Sequence, residues 1–405
     1  MSYLLHLECS KCGKKYEANK VQTVCRDCNS PLLAVYDLEG VKEVFKKSEI
    51  KRREPNMWRY IELLPIQNRK NIVTLGEGFT PVHKITVEGF GEVYLKDDGI
   101  IPTGTFKARG LSIAVSRAKE LGLKKLAIPS AGNAASALAT YCAKAGLEAY
   151  VIMPQDAPLS CKIESYMAGA HVYVVRGLIS DAAKVVEQCT KKFGWFDVST
   201  MKEPYRLEGK KTMGLEIAEQ LNWELPDAIL YPTGGGTGII GMWKAFKELQ
   251  ELDLINSELP KMIVVQAEGC APIVRAFKEG KKVSEHWKDA NTIAAGIRVP
   301  KPFADFMILN IIYESKGFAI SVSDNEILNA SRELAQKGIF ACPEGAATLA
   351  ALKKLFEEGE ISSGDRVLLY NTGTGLKYID VFSENFKMDF PIVTSAEDLE
   401  KLGGI

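Results

Sequence analysis

Short apolar runs alternate with helix-forming stretches through most of this chain, and that alternation leaves few folds open. Residues 92–96, 126–129, 148–154, 171–175, 228–232, 261–266 and 366–370 each read as a buried strand. Helical patterns occupy 111–118, 134–145 and 239–249, and another ends at Gly169. A strand that is apolar at nearly every position is covered on both faces, which predicts a mostly parallel α/β sheet. Residues 37–75 read as polar and helical, broken at Pro55 and Pro65. The 405-residue length predicts two or three domains. There is no internal repeat and no low-complexity tract.

Charge narrows the partners. Lys plus Arg number 51 and so do Asp plus Glu, so no global positive field favours nucleic acid or a membrane surface. The apolar runs are too short and interrupted to span a bilayer. Met1-Ser2-Tyr3-Leu4-Leu5-His6 lacks the basic start of a signal peptide, so a cytoplasmic location is expected.

Three loops stand directly between strand and helix. The first is Thr103-Gly104-Thr105-Phe106-Lys107-Ala108-Arg109-Gly110. A lysine just inside a helix start meets the positive end of the helix dipole, which disfavours its ammonium form. Such a lysine suits the Schiff-base role that lysines play with pyridoxal phosphate (PLP). The second loop is Pro232-Thr233-Gly234-Gly235-Gly236-Thr237-Gly238. Its glycines let backbone N–H groups close around a phosphate at a helix N-terminus. It lacks the spacing of ATP or dinucleotide loops, which favours a compact phosphate. The third, Asn371-Thr372-Gly373-Thr374-Gly375, also follows a strand, where open α/β sheets bind ligands.

Four of nine cysteines cluster as Cys9-x-x-Cys12 and Cys25-x-x-Cys28. Two such knuckles can supply four thiolates to one tetrahedral zinc; a redox pair is the alternative use. Four cysteine ligands leave no open position, so a zinc here would be structural. Cys142, Cys161, Cys189, Cys270 and Cys342 are scattered and read as buried, inert thiols. His6, His83, His171 and His286 share no spacing, and no catalytic metal is expected.

Taken together, the loops resemble those of fold type II PLP enzymes, most closely the threonine synthase branch. Leu75-Gly76-Glu77-Gly78-Phe79-Thr80-Pro81, Ser130-Ala131-Gly132-Asn133 and Pro204-Tyr205-Arg206-Leu207-Glu208-Gly209 carry the same resemblance. So do Gln266-Ala267-Glu268-Gly269-Cys270-Ala271-Pro272 and the helix start Gly241-Met242-Trp243-Lys244-Ala245-Phe246. The resemblance implies an α/β, tryptophan synthase β-like, two-domain architecture behind an N-terminal zinc ribbon. Residues 1–36 would be the ribbon, 37–114 with 201–405 the large PLP-binding domain, and 115–200 the small domain. It implies that Lys107 forms the Schiff base and acts as general base. Phe106 would pack beside it, Asn133 face the cofactor's ring oxygen and Thr372 its pyridine nitrogen. Gly234, Gly235, Gly236, Thr237 and Gly238 would hold its phosphate, with Ser130 and Arg206 on the amino-acid substrate. Cys9, Cys12, Cys25 and Cys28 would hold zinc, and a homodimer is implied.

Three positions depart from the branch. Ala108 stands where it usually has Asp, Ala134 where it has a hydroxyl residue, and Thr200-Met201 where an Asn-Ser pair contacts substrate phosphate. Met201 cannot donate to an oxyanion, which predicts a thinner phosphate subsite kept basic by Lys202, Arg206 and Lys210. Ala108 matches the threonine/serine dehydratases, the alternative function together with β-replacement. A catalytically dead zinc-ribbon interaction protein is the alternative of another class. Against it, the ribbon lacks Phe and Trp for stacking nucleic acid.

Overall fold

The computed structural model describes residues 1–130, 132–177, 179–255 and 258–401. Ala131, in the loop before Asn133, lies outside them. The chain begins with a small antiparallel sheet of β1 (Leu4–Cys9), β2 (Lys15–Tyr16) and β3 (Leu32–Tyr36), with β1 central. Each Cys-x-x-Cys closes a tight turn, Gly13 N–H donating to Cys9 O and Asn29 N–H to Cys25 O. The sulfurs of Cys9 and Cys28 are 3.4 Å apart, those of Cys12 and Cys25 3.6 Å, and all four lie within 4.8 Å of one another. Four sulfurs at about 2.3 Å from a tetrahedral zinc lie roughly 3.8 Å apart, so this donor set fits that ion. Tyr16 O–H donates to Cys25 Sγ at 3.2 Å.

Next come the helices Leu38–Val44 and Lys47–Lys51 and a 3-10 turn, Met57–Leu63. The expectation of a polar segment fails at that turn, where every residue is buried. Its polar side chains find partners inside: Trp58 Nε1–H donates to Glu77, Arg59 pairs with Glu219, and Glu62 takes a two-pronged contact from Arg53.

β4 (Val82–Val87) and β5 (Gly91–Asp97) follow as an antiparallel pair. The chain then builds a four-stranded parallel sheet from β6 (Lys125–Pro129), β7 (Glu148–Pro154), β8 (His171–Val175) and β9 (Phe196–Asp197), in the order β8-β7-β6-β9. It returns through β10 (Ala228–Pro232), β11 (Lys261–Ala267), β12 (Ala319–Val322) and β13 (Val367–Asn371). These complete a six-stranded sheet in the order β12-β11-β10-β13-β5-β4. Leu230 registers with Leu369 and Leu369 with Leu95, and β10 and β13 are buried throughout. Only the edge strand β4 runs antiparallel in this sheet. The mostly parallel α/β architecture is as expected from the sequence.

Two helices set the position of Lys107. Helix Lys107–Glu120 packs against helix Arg206–Gln220 so closely that a Cβ on Gly209 would sit 2.1 Å from Arg109 O. Beside this contact lies a fully buried ion quartet. Arg109 holds Asp98 through Nε at 2.8 Å and Nη2 at 2.7 Å, and reaches Glu216 through Nη2 at 2.9 Å. Lys96 donates to Glu216 at 2.8 Å, and Tyr370 O–H to Asp98 at 3.0 Å. Two cations meet two carboxylates, so each buried charge is matched, and removing one would strand its partner. Arg109 thereby anchors the helix whose first residue is Lys107.

Candidate active site

A cavity of about 740 Å³ opens where β6, β10 and β13 end and the lysine loop passes. Backbone bonds zip two of its loops together: Phe106 N–H donates to Thr372 O, and Thr374 N–H to Gly104 O, both at 2.9 Å. Phe106, buried, meets the Tyr231 ring edge-on at 6.2 Å between centroids. The Lys107 amine lies 3.8 Å from the Phe106 ring centroid. Lys107 is half-buried and borders the cavity. It has no hydrogen bond or ion pair among the described residues. Burial first, then the Arg206 charge, lowers its pKa to about 7, against an upward pull from Glu344.

The glycine loop forms another wall. Helix Thr237–Glu251 starts after Gly236, with no side-chain cap, so its first N–H groups are free to meet a ligand. Gly236 has φ +82°, and a Cβ there would meet Ile308 at 2.3 Å. A Cβ on Gly238 would lie 2.0 Å from the Tyr231 oxygen. Only glycine fits at these two positions, and together with Gly234, Gly235 and Thr237 they border the cavity.

Asn133, Ser130 and Thr372 also border it. Asn133 starts helix Asn133–Ala145; its Nδ2 donates to Tyr378 Oη at 2.9 Å, and its Oδ1 accepts from Cys161 Sγ at 3.5 Å. Ser130 Oγ accepts Gly132 N–H at 3.2 Å. Thr372 Oγ1 lies 3.5 Å from Cys342 Sγ. Arg206 is buried at the cavity wall and donates through Nη1 to Val198 O at 2.6 Å, while its Nε–H has no acceptor among the described residues. A buried cation at a cavity wall is suited to an anion. Glu203 accepts the N–H groups of Tyr205 and Arg206 and holds that helix start in place. The cavity thus gathers all the residues expected at cofactor and substrate, while the four cysteines cluster in the ribbon.

Two further residues, Glu344 and Tyr378, enter the site unannounced by the sequence. Glu344 is 3% exposed; its Oε1 accepts Tyr378 O–H at 2.9 Å and Gly296 N–H at 2.5 Å, and its Oε2 has no partner among the described residues. In sequence it looks like an ordinary acidic residue in the first turn of helix Pro343–Glu357, where the helix dipole favours one. Tyr378 follows the third loop by a few positions and carries no motif.

Other expectations shift. Lys210 does not border the cavity; it is buried behind Phe106, whose carbonyl it meets. Met201 is buried at φ +62° and is likewise absent from the cavity wall, whereas Thr200 and Lys202 line it. The basic wall therefore narrows to Lys202 and Arg206 in this region. Ala108 is fully buried away from the cavity, so its small size answers to packing. Cys161 and Cys342, read as inert core thiols, border the site. Burial raises both thiol pKa values, which keeps them protonated.

A family profile described as pyridoxal-phosphate dependent enzyme matches residues 73–373. A threonine synthase of Methanocaldococcus jannaschii is 40% identical over 375 residues, covering 91% of this chain and 92% of its own. That of Methanosarcina acetivorans is 37% identical, covering 95% and 96%. Among solved structures, maize serine racemase superposes with a TM-score of 0.65 at 22% identity, over 75% of this chain and 91% of its own. Threonine deaminase isoform 2 of Solanum lycopersicum does so at 0.64 and 20%, over 75% and 87%. At such identities these two likenesses are of fold.

Proposed function

Because the chain belongs to the pyridoxal-phosphate dependent enzymes and, within them, to the threonine synthases, we propose that it converts O-phospho-L-homoserine and water to L-threonine and inorganic phosphate. The observation that carries this reading into the cavity is Lys107: an unpaired amine lowered to about 7 beside a glycine cradle. The residues present fit PLP. The cradle at Gly236 and Gly238 has no room for a Cβ, and the free N–H groups of the helix start suit a phosphate.

In this reading Lys107 carries the cofactor, with Phe106 packed beside it. Gly234, Gly235, Gly236, Thr237 and Gly238 hold the cofactor phosphate. Asn133 donates to the ring oxygen, and Thr372 offers the pyridine nitrogen a neutral hydroxyl. Ser130 and Arg206 hold the substrate. When bound, the cofactor supplies a ring that draws off negative charge from the substrate's Cα. Lys107 Nζ, neutral above about pH 7, takes the proton from Cα and, once it has passed that on, one from Cβ; of these two and the proton that water releases, one goes to Cγ, one back to Cα and one to the departing phosphate. Arg206, on the cavity wall, sets a positive charge beside the phosphate leaving Cγ. Water adds at Cβ. The same reading holds zinc at the four cysteines as a structural ion, divides the chain at 1–36, 37–114 with 201–405, and 115–200, and makes the enzyme a cytoplasmic homodimer. Among the described residues no helix is long and apolar enough to cross a membrane.

The test is to follow phosphate and threonine together as the PLP-loaded protein acts on O-phospho-L-homoserine. Equal release of both is expected. Formation of a 2-keto acid from threonine or serine, with no phosphate release from O-phospho-L-homoserine, would assign the dehydratase reaction instead.

A further inference from the structure

The site holds a buried carboxylate, Glu344, that the reaction as outlined does not use. It has no ion-pair partner among the described residues, and one of its oxygens has no hydrogen-bond partner. Its other oxygen begins a chain of bonds whose direction is forced. A carboxylate only accepts, so Tyr378 must spend its single proton on Glu344. The Tyr378 oxygen can then only accept, and what it accepts is a proton of Asn133 Nδ2. That fixes the Asn133 amide with its nitrogen toward Tyr378 and its carbonyl toward the Cys161 thiol. An amide nitrogen carries two protons, so one N–H remains for whatever occupies the cavity. Burial and Glu344 raise the Tyr378 pKa far above the usual phenol range, which keeps that proton in place. Gly296 packs its bare Cα against the same carboxylate; a Cβ there would meet Glu344 Oε1 at 2.7 Å.

We propose that Glu344 is a positioning residue: through Tyr378 it dictates which way the Asn133 amide faces, so that Asn133 presents an N–H to the cofactor's ring oxygen. This rests on the reading of Asn133 given above. An N–H at that oxygen favours its ionised form, whereas a carbonyl would oppose it. The chain also joins Tyr378, after β13, to the loop after β6, so the amide is set by a residue on a helix between strands of the six-stranded sheet.

The experiment compares the ratio of visible to near-ultraviolet absorbance of the bound cofactor across variants of the holoenzyme. Asn133→Ala should lower the ratio and weaken cofactor binding about tenfold, as expected for one lost hydrogen bond. Tyr378→Phe should lower the ratio too. Glu344→Gln and Glu344→Met lose the same charge, but only glutamine keeps an acceptor for Tyr378, so the methionine variant should fall below the glutamine variant. In a Tyr378→Phe background the two should coincide. Equal ratios for the two Glu344 variants with Tyr378 present, or a gap that persists without it, would overturn the proposal. Should Glu344→Met fail to bind cofactor, Tyr378→Phe decides alone, and a parental ratio there overturns it. A parental ratio in Asn133→Ala would overturn the assignment of Asn133 and this proposal together, and is distinguishable for that reason.

Discussion

Lys107 sits between opposing charges. Arg206 disfavours its ammonium form and Glu344 favours it, on top of burial, which dominates. Arg206→Met should therefore raise the Lys107 pKa above about 7, and Glu344→Gln should lower it. The check is the pH dependence of trinitrobenzenesulfonate labelling at Lys107 in the cofactor-free protein. Labelling follows the neutral amine, so its midpoint should move up in the first variant and down in the second. A midpoint unmoved in both would show that burial alone sets it. At this scale the sequence was legible where a residue sits inside a loop with its own backbone logic, as Lys107, Gly236, Gly238 and Thr372 do. It was silent on Glu344 and Tyr378, because a first-turn acid and a lone tyrosine look the same whether they face solvent or a cavity. Met201 and Lys210 misled for the opposite reason: neighbours of Arg206 in sequence, they face the core on either side of it.

Among the elements, helix Lys107–Glu120 does most to place the site, and its anchor is the Arg109 quartet. Arg109→Met would leave Asp98 and Glu216 with Lys96 as the only buried cation among them. The expected loss is about 3–5 kcal/mol, read as a lower urea midpoint of the folded protein. A loss within about 0.5 kcal/mol, the range of ordinary surface changes, would show that the quartet contributes little. Strands with continuous apolar residues, such as β7, β10 and β13, were legible because both their faces are covered. β4 and β12 do not stand out in the sequence: β4 alternates exposed and buried residues at a sheet edge, and β12 is only Ala319–Val322. Within the polar-looking stretch 37–75, the turn Met57–Leu63 is buried because its charges pair with partners distant in sequence, Arg59 with Glu219 among them.

Over the whole molecule, the ribbon is not a free appendage. Tyr205 O–H donates to Ala18 O at 2.9 Å, Tyr3 N–H to Glu62 O at 3.0 Å, and Leu7, Leu32 and Ala34 share one apolar core with Leu63 and Met213. A segment this short has too little core of its own, so its order would depend on a zinc held by the four cysteines and on docking. Removing zinc with a chelator should speed amide exchange in β1 and β3 while β10 and β13 stay protected. Unchanged exchange in β1 and β3 would mean that docking alone holds the ribbon. Alternation and cysteine spacing make the general plan legible, but not the pairing of β5 with β13 across most of the chain. That contact depends on which strands become neighbours, a property of the packed sheet.

The most direct measurement is to reduce the lysine–cofactor linkage of the holoenzyme with borohydride, digest the protein and locate the modified lysine by mass spectrometry. The cofactor should be found on Lys107 and nowhere else. Cofactor on another lysine, or on none, would contradict the site.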